Sequence, residues 1–316
     1  MLAPETSITL EPAAQTASLA KGQTSTAAYA EGSVPDLSTT QPVAVTTIIQ
    51  PPRGWQLINV AEMWKFRELL AFLVWRDVKV RYKQTLLGAA WAVLQPAMMM
   101  VVFNVFFARM AKVPAGDLPY PLFVYTGLLP WSFFATSIAN AANSVVGSER
   151  LITKIYFPRL AIPFASVGAA VVDFCCAFGL LIVMMLWYGV APGAGLLLAP
   201  LLFGCFALAA AGVGTLLAAL NVAYRDFRYV VPFMVQLWMF ATPTIYMDPA
   251  ANGAGTYDHL LIVNPLSPLV AGFRAAVLGG PIDWKAIAIA GGVSVLMFLG
   301  GCLYFRRVED SFSDII

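Results

Sequence analysis

From about residue 86 the chain alternates between long apolar runs and short polar connections. Six runs reach the roughly 20 residues a helix needs to cross the hydrocarbon of a bilayer: about 86 to 108, 120 to 141, 161 to 188, 196 to 220, 229 to 247 and 286 to 305. The pattern predicts an all-α integral membrane protein with six transmembrane helices, because a helix satisfies its own backbone where no water can reach it. Prolines fall within or beside these runs, at Pro96, Pro130, Pro163, Pro200, Pro232 and Pro243. Neighbouring helices can satisfy the carbonyls that proline frees, so kinked helices in a bundle are expected. Small residues gather in "AAAGVGTLLAAL" (209 to 220) and "GGVSVLMFLGG" (291 to 301), and are expected to form faces where backbones approach closely.

The polar segments are as informative. Residues 1–52 are rich in Thr, Ser, Ala, Gln and Pro, with scattered Glu5, Glu11, Glu31 and Asp36 and no sustained periodicity. They are expected to be a disordered tail ahead of a membrane domain over 53–316. The tail lacks the basic start and apolar core of a secretory signal. After it, "WRDVKVRYKQTLLGAAWAVLQP" (75 to 96) runs straight from cationic to apolar. Asn59 with Glu62 three residues on suggests a helix start. Lys65, Glu68, Arg76, Lys79 and Lys83 then recur at helical spacing, with Met63, Phe66, Leu70, Leu73 and Val74 mainly on the other side. This predicts an N-terminal amphipathic interfacial helix with Arg76, Lys79, Arg81 and Lys83 near anionic headgroups. Serving only as topology-setting charges is an equally good reading for the individual lysines.

Two connections are more than turns. "NSVVGSERLITKIYFPRLAIP" (143 to 163) mixes a polar turn, a short helix-length run and a stop at Pro158, which predicts a short helix along the membrane surface. Residues 248 to 285 are too long for a simple loop. Within them "SPLVAGFRAAVLGG" (267 to 280) offers a cap at Ser267, proline at the first helical position and glycines at the end, with Leu269, Phe273 and Val277 on one line. A short outer re-entrant helix is expected there.

Composition agrees with a membrane protein: 59% of residues are hydrophobic and 11% charged, against roughly 25% charged in soluble domains. A net charge of +2, spread in short runs, argues against nucleic acid as a partner. Four cysteines, two of them adjacent at Cys175 and Cys176, do not suggest a disulfide framework, and the single histidine, His259, excludes a His-rich metal cluster. With six crossings, most Lys and Arg fall on the side of both termini and of the connections near 142 to 160 and 221 to 228. The positive-inside rule makes that side cytoplasmic. Within the third run Asp173 is the clearest acid in hydrocarbon, a functional candidate or the partner of a neighbouring helix. Trp91, Tyr125, Trp131, Phe133, Phe134, Trp238 and Tyr246 present apolar ring faces; for each one separately, interface anchoring or packing is the better reading, and together they are candidates for lining a channel.

The opening stretch, "YTGLLPWSFF" (125 to 134), "LITKIYFPR" (151 to 159), "LNVAYRDFRYVVPFMVQLWMFATPTIY" (220 to 246) and "NPLSPLVAGFR" (264 to 274), in this order, resemble the membrane permease subunits of bacterial polysaccharide ABC exporters. The resemblance covers about residues 53 to 316. It implies a homodimer that forms a channel for undecaprenyl-linked O-antigen, capsular or teichoic acid glycan in the cytoplasmic (inner) membrane. Each subunit would pair with a separate ABC-type ATPase, two copies in all, which binds ATP and Mg. The chain itself has no G-x-x-x-x-G-K-[ST] loop and is expected to be a transporter subunit, with no cofactor of its own. The resemblance makes the 143–163 element the coupling helix, placing Ser148, Glu149, Arg150, Leu151, Lys154 and Arg159 at the ATPase. Arg225, Asp226 and Arg228 in the second cytoplasmic junction would brace the interfacial helix or meet the partner. Export of a small hydrophobic molecule or drug is the alternative within transport; an integral-membrane glycosyltransferase would need an acidic metal or sugar-nucleotide cluster, which the sequence does not show.

Overall fold

The computed structural model describes residues 60–83, 85, 87–110, 119–154, 157–191, 193–245, 264–309 and 312. The expectations for the tail, for Asn59 and for Tyr156, Tyr246 and His259 lie outside them. Among the described residues there are helices and turns and no strand. Among the described residues, five helices are long and apolar enough to cross a membrane: Ala90–Phe107, Tyr120–Ser144, Ala161–Trp187, Gly195–Ala223 and Trp284–Val308. In regular helix these contain α3 (Ala90–Phe103), α4 (Tyr120–Ser144), α6 (Ala161–Trp187), α7 (Ala199–Ala223) and α10 (Trp284–Val308). The run expected over 229 to 247 forms α8, Phe227–Phe240, a helix of 14 residues. At 1.5 Å per residue it spans about 21 Å, short of a hydrocarbon core of about 30 Å. Its end has a local cause: Pro243 disfavours helical geometry in the residue before it, and 241–245 are turns and bends.

Not every proline acts as expected. Pro163 and Pro200 sit in the first turns of α6 and α7, where the missing N–H would be unpaired in any case. Pro96, Pro130 and Pro232 lie inside α3, α4 and α8. Beyond Pro96, α3 widens into π-helical turns over Asn104–Met110.

The bundle is built around α4, most of which is buried, including Tyr125, Leu128, Leu129, Phe134 and Ile138. Phe133 on α4 meets Phe174 on α6 and Phe203 on α7, and the last two rings stack 4.1 Å apart. The two small-residue runs do form a contact face between α7 and α10. A Cβ on Gly301 would lie 2.0 Å from the Gly212 carbonyl oxygen, and one on Gly212 would lie 2.5 Å from the Met297 backbone. By contrast little of α3 is buried, and Met98, Met99, Val101 and Val102 on it and Phe106 beyond it are exposed.

The interfacial segment departs from its expectation in two ways. It is a pair of helices, α1 (Val60–Lys65) and α2 (Arg67–Tyr82), broken at Phe66. Its expected apolar side packs against protein: Met63, Phe66, Leu70, Leu73 and Val74 join a second core with Val145, Ile152, Phe157, Leu160, Phe305 and Phe312. Gly168 on α6 provides the notch for Val74, since a Cβ there would stand 2.7 Å from a Val74 methyl. The apolar residues that do face outward are Trp64, Phe72, Trp75 and Val80, with the Arg67 guanidinium over the Trp64 ring at 5.3 Å.

The segment expected to be re-entrant forms α9, Leu266–Leu278, a short apolar helix. Its start is earlier than Ser267, because Asn264 Oδ1 accepts the Leu266 N–H at 3.2 Å. Leu269, Phe273 and Val277 are all fully buried, as their spacing predicts. Gly279, at φ +82°, ends the helix in the left-handed region. Arg274 reaches back to donate to the Thr244 carbonyl at 2.8 Å and stacks on Phe123 at 3.8 Å.

Gly301→Ala should destabilise the protein by about 1–3 kcal/mol through overpacking, seen as a melting temperature several degrees lower in detergent. Gly204→Ala and Gly292→Ala, where a Cβ meets nothing within 4 Å, should be neutral or stabilising, since helix-interior glycine costs about 1 kcal/mol relative to alanine. Equal effects at all three positions would overturn the close-contact account.

Candidate functional site

A cavity of about 370 Å³ opens among α2, α3, α4 and α6. From α2 and the junction after it come Arg81, Tyr82 and Thr85; from α3, Trp91, Ala92, Gln95 and Pro96; from α4, Leu129, Ser132, Phe133, Thr136 and Asn140; from α6, Ala170, Asp173, Phe174 and Ala177. The helix period explains the α4 wall: Ser132, Thr136 and Asn140 are four apart and so lie on one face.

Asp173 organises the cavity. Arg81 Nη1 donates to its Oδ2 and the Tyr82 hydroxyl donates to its Oδ1. One carboxylate on α6 thus holds two consecutive residues at the end of α2, and fixes the surface segment at the point where it turns into α3. Burial and the hydrogen bond to Asp173 push the Tyr82 phenol well above its ordinary range, so it stays a neutral donor. Arg76 and Asp77 pair at 2.8 Å, and the Ser166 hydroxyl on α6 donates to Asp77 at 3.5 Å. Of the four predicted interfacial cations, Arg76 and Arg81 are therefore engaged with carboxylates, while Lys79 and Lys83 are exposed.

The expected coupling segment is a short 3₁₀ turn, Val146–Ser148, followed by α5, Glu149–Ile152. Glu149, Arg150 and Lys154 are exposed, Ser148 and Leu151 are half-buried, and Ile152 anchors the turn in the second core. Arg159 donates to the Glu309 carbonyl, and Glu309 in turn accepts from Arg306 at 3.1 Å, which ties the return of this segment to the end of α10. Arg225 and Arg228 face the same region: with Glu149, Asn221 and Tyr229 they line a second cavity, of about 310 Å³. Asn221 donates to the Ala142 carbonyl at 2.8 Å, binding α7 to the end of α4.

The aromatic candidates separate into groups. Trp91 is exposed and lines the large cavity, and Phe133 lines it from beneath. Tyr125, Trp131 and Phe134 are buried within the chain, with the Tyr125 hydroxyl on the Ala177 carbonyl at 2.9 Å. Trp238 donates its indole N–H to Asn264 at 3.0 Å and meets Phe134 edge-on. Tyr246 lies outside the described residues. Missed in the sequence were Gln95, Ser132, Thr136 and Asn140, although the four-residue polar spacing in an apolar run was there to be read.

A run of helices with such a surface segment and cavity matches a known pattern: the family model for the ABC-2 type transporter aligns with residues 68–278. The chain belongs to the ABC-2 type transporter family. Among its relatives, the O-antigen export system permease protein RfbA of Myxococcus xanthus is 28% identical over 258 residues, 81% of this chain and 98% of that protein. A protein of the same description from Klebsiella pneumoniae is 26% identical over 79% of this chain and 95% of its own length. The polysialic acid transport protein KpsM of Escherichia coli is 22% identical over 74% and 91%. The ABC exporter membrane family expected from the motifs is thus borne out.

Removing Asp173 takes the carboxylate from both Arg81 and Tyr82, and removing Arg81 leaves Asp173 with the Tyr82 hydroxyl but without its counter-charge. Asp173→Asn or Arg81→Gln should each cost about 1–3 kcal/mol, below the figure for fully buried pairs because both side chains keep some exposure. The double variant should lose less than the sum, with a coupling of about 1–2 kcal/mol in a double-mutant cycle followed by thermal unfolding in detergent. Strict additivity would mean the pair contributes nothing.

Proposed function

We propose that the chain is the channel-forming permease of an ATP-driven exporter that moves a lipid-linked polysaccharide across the cytoplasmic membrane. The observation that carries this reading is similarity over nearly the whole length of O-antigen export permeases. In this reading two copies form the channel, each with a separate ATPase subunit that binds ATP and Mg, and both termini are cytoplasmic. The α8 helix serves as the sixth crossing together with the residues that follow it. The cavity beside Asp173 holds about 370 Å³, within the size of an ordinary small-ligand site, and in this reading the polymer route is built from the surfaces of two copies. The exposed faces of α3 and α8, with Trp91, Phe106, Phe233 and Phe240, are available to build it.

The segment around α5 is the proposed ATPase contact. Its exposed Glu149, Arg150 and Lys154 meet the partner, while Ile152 beneath them belongs to the same core as Leu73 on α2 and Phe305 on α10. A push at α5 is therefore shared with the interfacial segment and with the last crossing through packed side chains. Lys79 and Lys83 are left to meet anionic headgroups or the phosphate of the lipid carrier.

With the four native cysteines replaced, cysteines at Ser148 and Gly280 should label from opposite faces of inner-membrane vesicles; labelling from one face contradicts the six-crossing orientation. The double reversal Glu149→Lys with Arg150→Glu should leave the protein inserted and stable while lowering glycan export at least about tenfold in a complemented deletion strain, since paired charges at an interface centre can each matter by more than 1.4 kcal/mol. Unchanged export would remove these two residues from the contact.

A further inference from the structure

The polar wall of the large cavity has no structural employment. Ser132, Thr136 and Asn140 form a stripe along α4, Gln95 faces the same cavity from α3, and none of the four has a hydrogen-bond partner among the described residues. Gln95 is exposed and the other three are half-buried, so a ligand that covers them must supply their hydrogen-bond partners. Pro96 adds an acceptor: it has no N–H to give to the Ala92 carbonyl, and both residues line the cavity. The charges there are already committed. Asp173 takes Arg81 on one oxygen and Tyr82 on the other, which leaves hydroxyls, amides, a free carbonyl and the exposed Trp91 ring.

Neutral donors and acceptors beside an aromatic face suit an uncharged ring bearing several hydroxyls. They do not suit a phosphate, which seeks cations or clustered N–H groups. We infer that this cavity binds one uncharged sugar residue of the exported glycan, with Gln95, Ser132, Thr136 and Asn140 on its hydroxyls and Trp91 against its apolar face. The inference rests on the polysaccharide reading above and assigns the glycan and the lipid phosphate to different places: the sugar to the cavity, the phosphate to the exposed lysines of α2. Asp173 then acts as a positioning residue that closes the cavity by holding the end of α2 over it.

The test uses the full chain, lacking native cysteines and carrying Thr136→Cys, in nanodiscs of neutral lipid. A small thiosulfonate reagent modifies the new thiol, and three probes are compared: lipid-linked polysaccharide extracted from the source cells, the free polysaccharide released from it by mild acid, and undecaprenyl pyrophosphate without sugar. The inference expects both glycan-bearing probes to slow modification several-fold and the sugar-free lipid to leave it unchanged. In a second background, with a reporter cysteine at Ser132, Thr136→Val with Asn140→Leu should raise the glycan concentration for half-protection about tenfold, the loss of two ordinary hydrogen bonds, with the melting temperature retained. Protection by the sugar-free lipid equal to that of the intact probe makes this a phosphate site and overturns the inference. No protection by any probe, in a protein that restores surface polysaccharide to a deletion strain, also overturns it and leaves the export reading standing. If deletion of the gene leaves surface polysaccharide unchanged, both fall together.

Discussion

An ionised carboxylate in hydrocarbon must find a partner or lose its charge, and the way Asp173 meets that demand sets much of the architecture around it. Its partners come from a segment 91 and 92 residues away in the chain. By accepting from Arg81 and Tyr82 together it pins the end of α2 to the side of α6 and fixes where the surface segment must turn into α3. The first crossing, which also packs on α4 and α6, is thus fastened at its root by an electrostatic tie.

The same demand shows why parts of the fold were legible in the sequence and parts were not. Hydrophobic length and period give α3, α4, α6, α7 and α10 directly, because hydrocarbon admits few alternatives to a self-satisfied helix. The close faces at Gly212 and Gly301 were legible for a related reason, since small residues are what let backbones meet. Pairing is a different matter. Asp173 was visible as an acid that needs a partner, but nothing local says that Arg81 is that partner, because their meeting depends on the crossing of α2 and α6. The α2 helix is the instructive case. Its two-sided pattern suits a helix lying in a lipid interface and a helix packed against protein equally well, and tertiary contact, through the Gly168 notch for Val74, decides for the second. Likewise an aromatic in an apolar run carries no mark that tells a core ring such as Phe134 from a cavity ring such as Trp91.

Packing also explains how remote parts of the chain can act as one. Leu73 on α2, Ile152 on α5, Ala219 on α7 and Phe305 on α10 belong to one buried cluster, sealed by Phe312 standing edge-on to Phe305 at 5.2 Å. Cores at native density transmit displacement because they have no slack to absorb it. The links around this cluster are of two kinds. Arg159 holds the Glu309 carbonyl and Asn221 holds the Ala142 carbonyl, and both satisfy backbone groups near helix ends that would otherwise lack partners. Asn221 does so with a neutral amide, Arg159 with a guanidinium that keeps its charge.

The opposite end of the bundle is fastened differently. There Asn264 accepts from Trp238 and from the Leu266 N–H while donating to Thr242 and Ala241, so that one side chain joins the end of α8, the turn after it and the start of α9. Arg274 makes a second clasp on the same turn, and Gly127 leaves the room for it: a Cβ there would stand 2.5 Å from the guanidinium. Amide, backbone and ring contacts of this kind resist displacement without a paired charge at their centre. The Asp173 end relies on two charged groups whose attraction weakens as water enters the cavity, because Coulomb interactions fall with rising dielectric. A ligand that fills the cavity and one that leaves it wet therefore act on that tie in opposite directions. Of the two ends, the one beside the cavity is built to respond to what the cavity holds.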